Sequence, residues 1–338
     1  MGFIYDGFIR DPEAPPGPAG ADGPPGPAGA DGAPGPPGPA GADEADGAPG
    51  PAGADGATGP AGPPVPSICD ARLTLTQGVP VTTSDVIGAS TIYLTRYRGA
   101  HVALWDGSQW VLHEVPSGDV SLALSGLTAG KVYDVFLYDN AGTLTLSLSA
   151  AWADNVTRTD ALAYQDGVRV LASDHGKRLV GTFVATGAAT TEDSGGSGTA
   201  TAQRRYLVNE RHRVPKRAIA ESPWSSYTYS SSDWRVAGNT SSVYISALCG
   251  GGLPVGGCFG AVQEDGKWWV LALGVDGVTT PDAAQHVVCV GFRQGMLTAP
   301  LTYSVSEGLH EFRVLEKSAN SGEQIKSPSF WLDLVFQV

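Results

Sequence analysis

The sequence predicts a mostly β homotrimer: a triple-helical stalk followed by two β-sandwich or jelly-roll-like domains. Three observations carry this. Glycine recurs at every third position from residue 17 to residue 62 with one exception. Seventeen of the 25 prolines lie before residue 67. From Ser67 onward, short runs alternate apolar and polar residues with the period of a β-strand. The chain then divides into an N-terminal peptide (1–13), the stalk (14–66), a β-rich domain with a basic linker (67–220) and a C-terminal jelly-roll-like sandwich (221–338).

The N-terminal peptide contains GFIYDGFI, which repeats Gly-Phe-Ile. It sets Phe3, Ile4, Tyr5, Phe8 and Ile9 in a segment too short to build its own core. An apolar end on a rod is what an anchor to a larger particle would look like; the competing reading is a disordered start. The segment has no basic start, long apolar core or small-residue cleavage site, so it does not read as a secretory signal.

The stalk register is Gly17, Gly20, Gly23, Gly26, Gly29, Gly32, Gly35, Gly38, Gly41, Glu44, Gly47, Gly50, Gly53, Gly56, Gly59 and Gly62. Fifteen of these 16 positions are glycine, whereas a Gly/Pro linker would scatter them. A fixed period of three is the steric demand of a collagen-like triple helix, whose axis has room only for hydrogen. Proline in the other two places pre-sets the polyproline-II backbone and lowers the entropy lost on ordering. One chain cannot make this structure, so self-association as a homotrimer is expected. Forty-eight residues at ~3 Å each give a rod of about 140–150 Å.

Charge follows the same division. Of the net charge of −13, −8 belongs to residues 1–66, where Arg10 is the lone cation. A role in non-specific nucleic-acid binding is excluded, because phosphate binding needs a basic field. The stalk aspartates Asp22, Asp31, Asp43, Asp46 and Asp55 face their own copies with no cation to pair with. Glu44 would place three carboxylates near the trimer axis, a costly burial, so a local bend or fray is expected there.

In the globular part, RLTLT (72–76), TIYLTRY (91–97), HVALWDG (101–107), QWVLHEV (109–115), VSLALS (120–125), KVYDVFLYD (131–139) and LTLSLS (143–148) read as strands. Asp106-Gly107, Asn140-Ala141-Gly142 and Asp166-Gly167 read as turns. RTDALAYQDG (158–167) could give one short helix. Beyond 221, SSVYISALC (241–249), CFGAVQED (258–265), KWWVLALGVDG (267–277), HVVCVGF (286–292), HEFRVLEKSA (310–319) and FWLDLVFQV (330–338) read as further strands. Six or more strands with polar turns suggest an antiparallel jelly roll.

Candidate chemistry is sparse. No GxSxG elbow, HExxH, P-loop or EF-hand loop is present, so no catalytic residue, metal site or cofactor is assigned. Four scattered cysteines lack CxxC spacing; Cys249 and Cys258 flank GGGLPVGG and could face each other across a hairpin. The basic run RRYLVNERHRVPKR (204–217) is either a patch for acidic glycans or a linker whose charges are solvated or paired with another chain. SSYTYSSSDW (225–234), with Tyr227 and Tyr229, has the Ser/Tyr composition of adaptable binding surfaces. Trp268 and Trp269 are adjacent, so on a strand one faces outward and could stack on a sugar; packing at a trimer interface is the competing role.

The phrases CDARLTLTQGVPVTTSDV, LSGLTAGKVYDVFLYDNAGTLTLSLSAAW, RTDALAYQDGVRV, GTFVATGAATTED and RRYLVNERHRVP resemble a module of structural fibre proteins from tailed bacteriophages and their prophages. PWSSYTYSSSDWR and SEGLHEFRVLEKSANSG are similar to the C-terminal half of the same proteins. The resemblance implies a virion-surface fibre made in the bacterial cytoplasm. It implies docking to a capsid, neck or tail protein through the N-terminus, and a host-surface glycan or protein as distal partner. It brings no catalytic residue with it. A decoration fibre without a dedicated receptor and a glycan-depolymerising tailspike are the alternatives; neither nucleic acid nor membrane insertion is expected.

The stalk is expected to melt at a higher temperature near pH 4 than near pH 8 in low salt, as the unpaired aspartates neutralise. Glu44→Gly is expected to raise that temperature further. Circular dichroism melts with the opposite pH order, or unmoved by Glu44→Gly, would contradict the carboxylate account.

Overall fold

Two-residue loops with positive φ set the registers of the clearest hairpins. In the computed structural model, Asp166 (φ 48°) and Gly167 (φ 79°) join strands Leu162–Gln165 and Val168–Leu171. Ala141 (φ 50°) and Gly142 (φ 90°) join Val132–Asn140 to Thr143–Leu148 in the same way. Both loops have the type I′ sign pattern, whose twist matches that of paired strands. The short helix expected at 158–167 is therefore replaced by a hairpin: a few residues are too short for a stable helix, and the Asp-Gly loop pairs their backbone with the next strand. The structure describes residues 68–338 except 195–196, 200–201, 223–226, 240–242, 251–253, 264–268, 278–287, 291–294, 319–324 and 328. The N-terminal peptide and the stalk lie outside these residues.

The first part of the globular region stacks the three-stranded sheet Ala71–Thr74, Thr91–Arg96 and Val120–Ala123 over strands Val132–Asn140 and Asp174–Gly187. Leu73, Ile92 and Leu94 from one layer meet Tyr133, Val135, Leu137 and Phe183 from the other in a dry core. Beside it, the hairpin His101–Trp105 and Trp110–Glu114 turns on Asp106, whose Oδ1 accepts the N–H groups of Ser108 and Gln109 at 2.8 Å.

The second part runs through eight principal strands: Pro215–Glu221, Ile245–Cys249, Pro254–Gln263, Trp269–Val275, Val288–Val290, Gly295–Ser304, Gly308–Ser318 and Ser329–Gln337. The first, eighth, third and sixth lie side by side in one sheet; the second, seventh, fourth and fifth lie side by side in another. Ala218, Ala220, Phe259, Leu332, Leu334 and Phe336 from the first sheet face Ile245, Ala247, Leu271, Leu273, Phe312 and Val314 from the second. Alternation explains the closing strand, where Leu332, Leu334 and Phe336 are buried and Trp331, Asp333 and Val335 are less so. Cys249 and Cys258 fall on different sheets, which replaces the expected hairpin. Strand Ile245–Cys249 already has neighbours on both edges, Gln203–Arg205 and Gly308–Ser318, and has no free edge for Pro254–Gln263.

The two parts expected on either side of residue 220 share one sheet, and residues of the first part enter the core of the second. Residues 61–338 form a single compact unit. Strand Gln203–Arg205 pairs with Thr190–Ser194 on one side and, in parallel, with Ile245–Cys249 on the other. Val132, Trp152, Val184 and Val208 join the core of the second part.

A chain of alternating charges reinforces this junction. Asp134, 1% exposed, accepts Trp152 Nε1–H (3.1 Å), Thr182 Oγ1–H (2.8 Å) and Arg158 Nε–H (2.8 Å). The outer nitrogens of Arg158 grip both oxygens of Glu307 at 2.8 and 2.9 Å. Arg169 grips the same carboxylate at 2.9 and 2.7 Å and reaches Glu210 at 2.8 Å, beside which Arg213 lies at 3.6 Å. Three carboxylates and three guanidiniums thus neutralise one another. Burial opposes the Arg158 charge, but its bonds to Glu307 and Asp134 outweigh this and hold the guanidinium above its ordinary range. Burial likewise pushes the Glu307 carboxyl up, but Arg158 and Arg169 hold it below the usual carboxylate range.

Arg158→Ala is expected to cost the globular region about 3–5 kcal/mol in urea denaturation, because it leaves the buried Asp134 carboxylate without its cation and Glu307 with Arg169 alone. A loss under about 1 kcal/mol, the scale of an exposed pair, would contradict this. Because Glu307 has a depressed folded pKa, its contribution is complete above the ordinary carboxylate value near 4.3 and is lost as pH falls through the folded value. The globular region should therefore weaken with acid where the stalk strengthens.

Candidate functional site

The sequence-predicted binding residues are scattered. Tyr227 and Tyr229 lie on the short strand Tyr227–Tyr229, paired with Ile325–Ser327. Tyr229 is half-buried: its hydroxyl donates to the Asp233 carbonyl at 2.6 Å, and the Arg235 guanidinium sits 3.7 Å from its ring centre. Arg235 in turn pairs with the fully buried Glu316 at 2.8 Å. Trp269 opens strand Trp269–Val275, with its backbone between Val290 and Ser318. Trp268, the anchor residues Phe3, Ile4, Tyr5, Phe8 and Ile9, and the axial positions from Gly17 to Gly62 lie outside the described residues.

Five of the six cations in the basic run at 204–217 pair within the chain, and Arg211 is exposed. Arg204 pairs with Glu192 at 2.6 Å and Arg205 with Asp193 at 3.3 Å. Lys216 also pairs with Asp193, Arg213 with Glu210 and Arg217 with Asp333. Apart from Glu210, which lies within the run, the partners come from strand Thr190–Ser194 and from near the end of the chain, which sequence spacing alone does not place beside the run. The expected pairing with a neighbouring chain, or with an acidic glycan, gives way to pairing within this one. Burial, with a smaller push from Asp276, raises Cys249 to about 12, and burial raises Cys258 as well.

A pocket of about 310 Å³ opens instead between the His101–Trp105/Trp110–Glu114 hairpin and strands Val132–Asn140 and Asp174–Gly187. Leu104, Trp105, Val111, His113 and Tyr138 form its walls, and Asp106, Asp139, Asp174 and Gly176 complete the lining. Each carboxylate is fixed by its own turn. Asp106 Oδ1 accepts from Ser108 and Gln109, Asp139 Oδ1 accepts Gly142 N–H at 2.8 Å, and Asp174 Oδ1 accepts Gly176 N–H at 3.1 Å. The N–H groups of Gln109 and Ser108 hold the Asp106 carboxyl below the usual range. Trp105 packs edge-on against Trp110 at 5.8 Å, and Lys177 lies 5.3 Å from the Tyr138 ring centre. Among the described residues, no group of three or more His, Cys, Asp or Glu side chains could hold a metal ion. The signal legible in sequence was Asp-Gly and Asn-Ala-Gly turns beside aromatic strand residues. What sequence could not show was that two such turns converge with a third at Asp174–Gly176.

Among known families, residues 11–67 match the collagen triple helix repeat. No curated protein sequence matches the chain. Solved structures with a distant likeness include the insecticidal δ-endotoxin Cry8Ea1 from Bacillus thuringiensis, at 10% identity over 79% of this chain and 52% of that one, with TM-score 0.22. They also include infectious bursal disease virus, Gx strain, at 12% identity over 83% and 76%, with TM-score 0.23. A third is an exo-β-1,3-galactanase from Phanerochaete chrysosporium, at 12% identity over 79% and 68%, with TM-score 0.21. This chain spans about half the length of the toxin. Scores this low assign neither fold nor function.

A self-neutralised basic run should not capture polyanions. The full-length protein is expected to pass through a heparin column at about 0.15 M salt, where exposed charges more than a Debye length apart are screened. Firm retention would show that the 204–217 cations remain available.

Proposed function

We propose that this chain is a trimeric fibre protein of a tailed bacteriophage or prophage particle. It docks to the virion through its N-terminal peptide and presents its β region to a host-surface glycan or protein. The observation that carries the reading is the glycine register: 15 of 16 third positions, inside a stretch that matches the collagen triple helix repeat at residues 11–67. Collagen triple helix repeats imply self-association as a trimer. Such a stalk has no catalytic surface; its use is to hold three copies of the β region at a distance from the N-terminal peptide.

The C-terminal part fits a jelly-roll head. Its eight strands divide into two four-stranded sheets in the order first-eighth-third-sixth and second-seventh-fourth-fifth, the order produced when a long antiparallel hairpin is rolled into two Greek keys. Phe3, Ile4, Tyr5, Phe8 and Ile9 supply the apolar contact for anchoring.

Particles assembled with a chain lacking residues 2–10 are expected to carry no fibre, while the truncated chain remains a soluble trimer. Purified full-length protein is expected to block adsorption of intact particles. Normal incorporation of the truncated chain would overturn the anchor, and unblocked adsorption would favour a decoration fibre without a receptor.

A further inference from the structure

We infer that the pocket between Trp105 and Tyr138 is a binding site for a neutral, hydroxyl-rich pyranose unit and that it rejects acidic sugars. The inference deepens, and rests on, the attachment reading above. Its volume of about 310 Å³ lies at the lower end of small-ligand sites, enough for a monosaccharide-sized group. Trp105 and Tyr138 offer rings on which the C–H face of a pyranose gains apolar area and dispersion contacts. Trp105 is packed edge-on against Trp110, which limits its side-chain freedom before binding.

The polar groups select the class of ligand. Asp106, Asp139 and Asp174 each commit one oxygen to a turn hydrogen bond, and among the described residues no hydrogen bond engages the other oxygen. These second oxygens can accept but not donate. The carboxylates do not gather into a group able to share a metal ion. They therefore suit a ligand that brings several separated donors, as a ring of hydroxyls does. Charge sets the exclusion. Three carboxylates line the pocket with His113, and Lys177 lies 3.9 Å from Asp174. A uronic or sialic carboxylate would meet like charge, and no arginine is among the lining residues. Five cations at 204–217 are already paired with Glu192, Asp193, Glu210 and Asp333.

The test is saturation-transfer NMR on the full-length protein with methyl glucoside, methyl galactoside and N-acetylglucosamine as neutral probes and glucuronic acid as the charged counterpart. At least one neutral probe is expected to bind, with glucuronic acid at least tenfold weaker. Trp105→Ala is expected to weaken the neutral probe at least tenfold. Trp105 also packs against Trp110, so Asp139→Asn, which keeps its turn acceptor, serves as the second variant and is expected to weaken binding severalfold with the circular dichroism spectrum unchanged. Binding of none of the neutral probes, equal binding of glucuronic acid, or unchanged binding by Asp139→Asn would overturn the inference. Blocked adsorption without sugar binding would leave attachment standing and remove this site. Sugar binding without blocked adsorption would leave the site and remove attachment.

Discussion

At the axis of a collagen-like triple helix there is no space for a side chain, and that constraint organises this protein. It requires glycine at every third residue, and it cannot be met by one chain, because the axis exists only where three polyproline-II strands wind together. Trimeric state and the separation of a non-globular from a globular region both follow from it. Glu44, the single departure from Gly17 to Gly62, is informative for the same reason. Its neighbours hold phase on both sides, so the glycine register continues past it.

The globular region depends on a different kind of closure. Its two halves share the Gln203–Arg205 strand, Val132, Trp152, Val184 and Val208 of the first half enter the core of the second, and the charge chain from Asp134 to Arg213 passes through Glu307. Each ion in that chain is costly to bury alone and is tolerable because the next one is already in place. The acidic rim of the pocket follows from the same economy of charge. Five cations of the 204–217 run are matched to carboxylates elsewhere, and Lys177 is the cation beside Asp174.

Much of this was legible where the physics is local. Period-two runs such as 131–139 and 143–148 became strands, and the Asp166-Gly167 and Ala141-Gly142 steps became tight turns, because Asp and Gly take positive φ readily and Ala141 takes it beside Gly142. Non-local features were not legible. The hairpin expected between Cys249 and Cys258 failed because both edges of strand Ile245–Cys249 are taken by residues 40 or more positions away. Gly181 reads as an ordinary strand glycine until Val208 is seen to pass so close that a Cβ would lie 2.5 Å from its carbonyl oxygen. The pocket is the same kind of case, since Asp106, Asp139 and Asp174 belong to three separate turns. The 204–217 run looked like a surface patch because its partners lie on other strands.

The glycine register makes three chains one molecule. Sedimentation equilibrium of the full-length protein, followed through the stalk's thermal transition by circular dichroism, puts that statement to the test. The expected mass is three times the 34.8 kDa of one chain, with a polyproline-II signal that melts cooperatively. A monomer carrying no cooperative polyproline-II transition would contradict it.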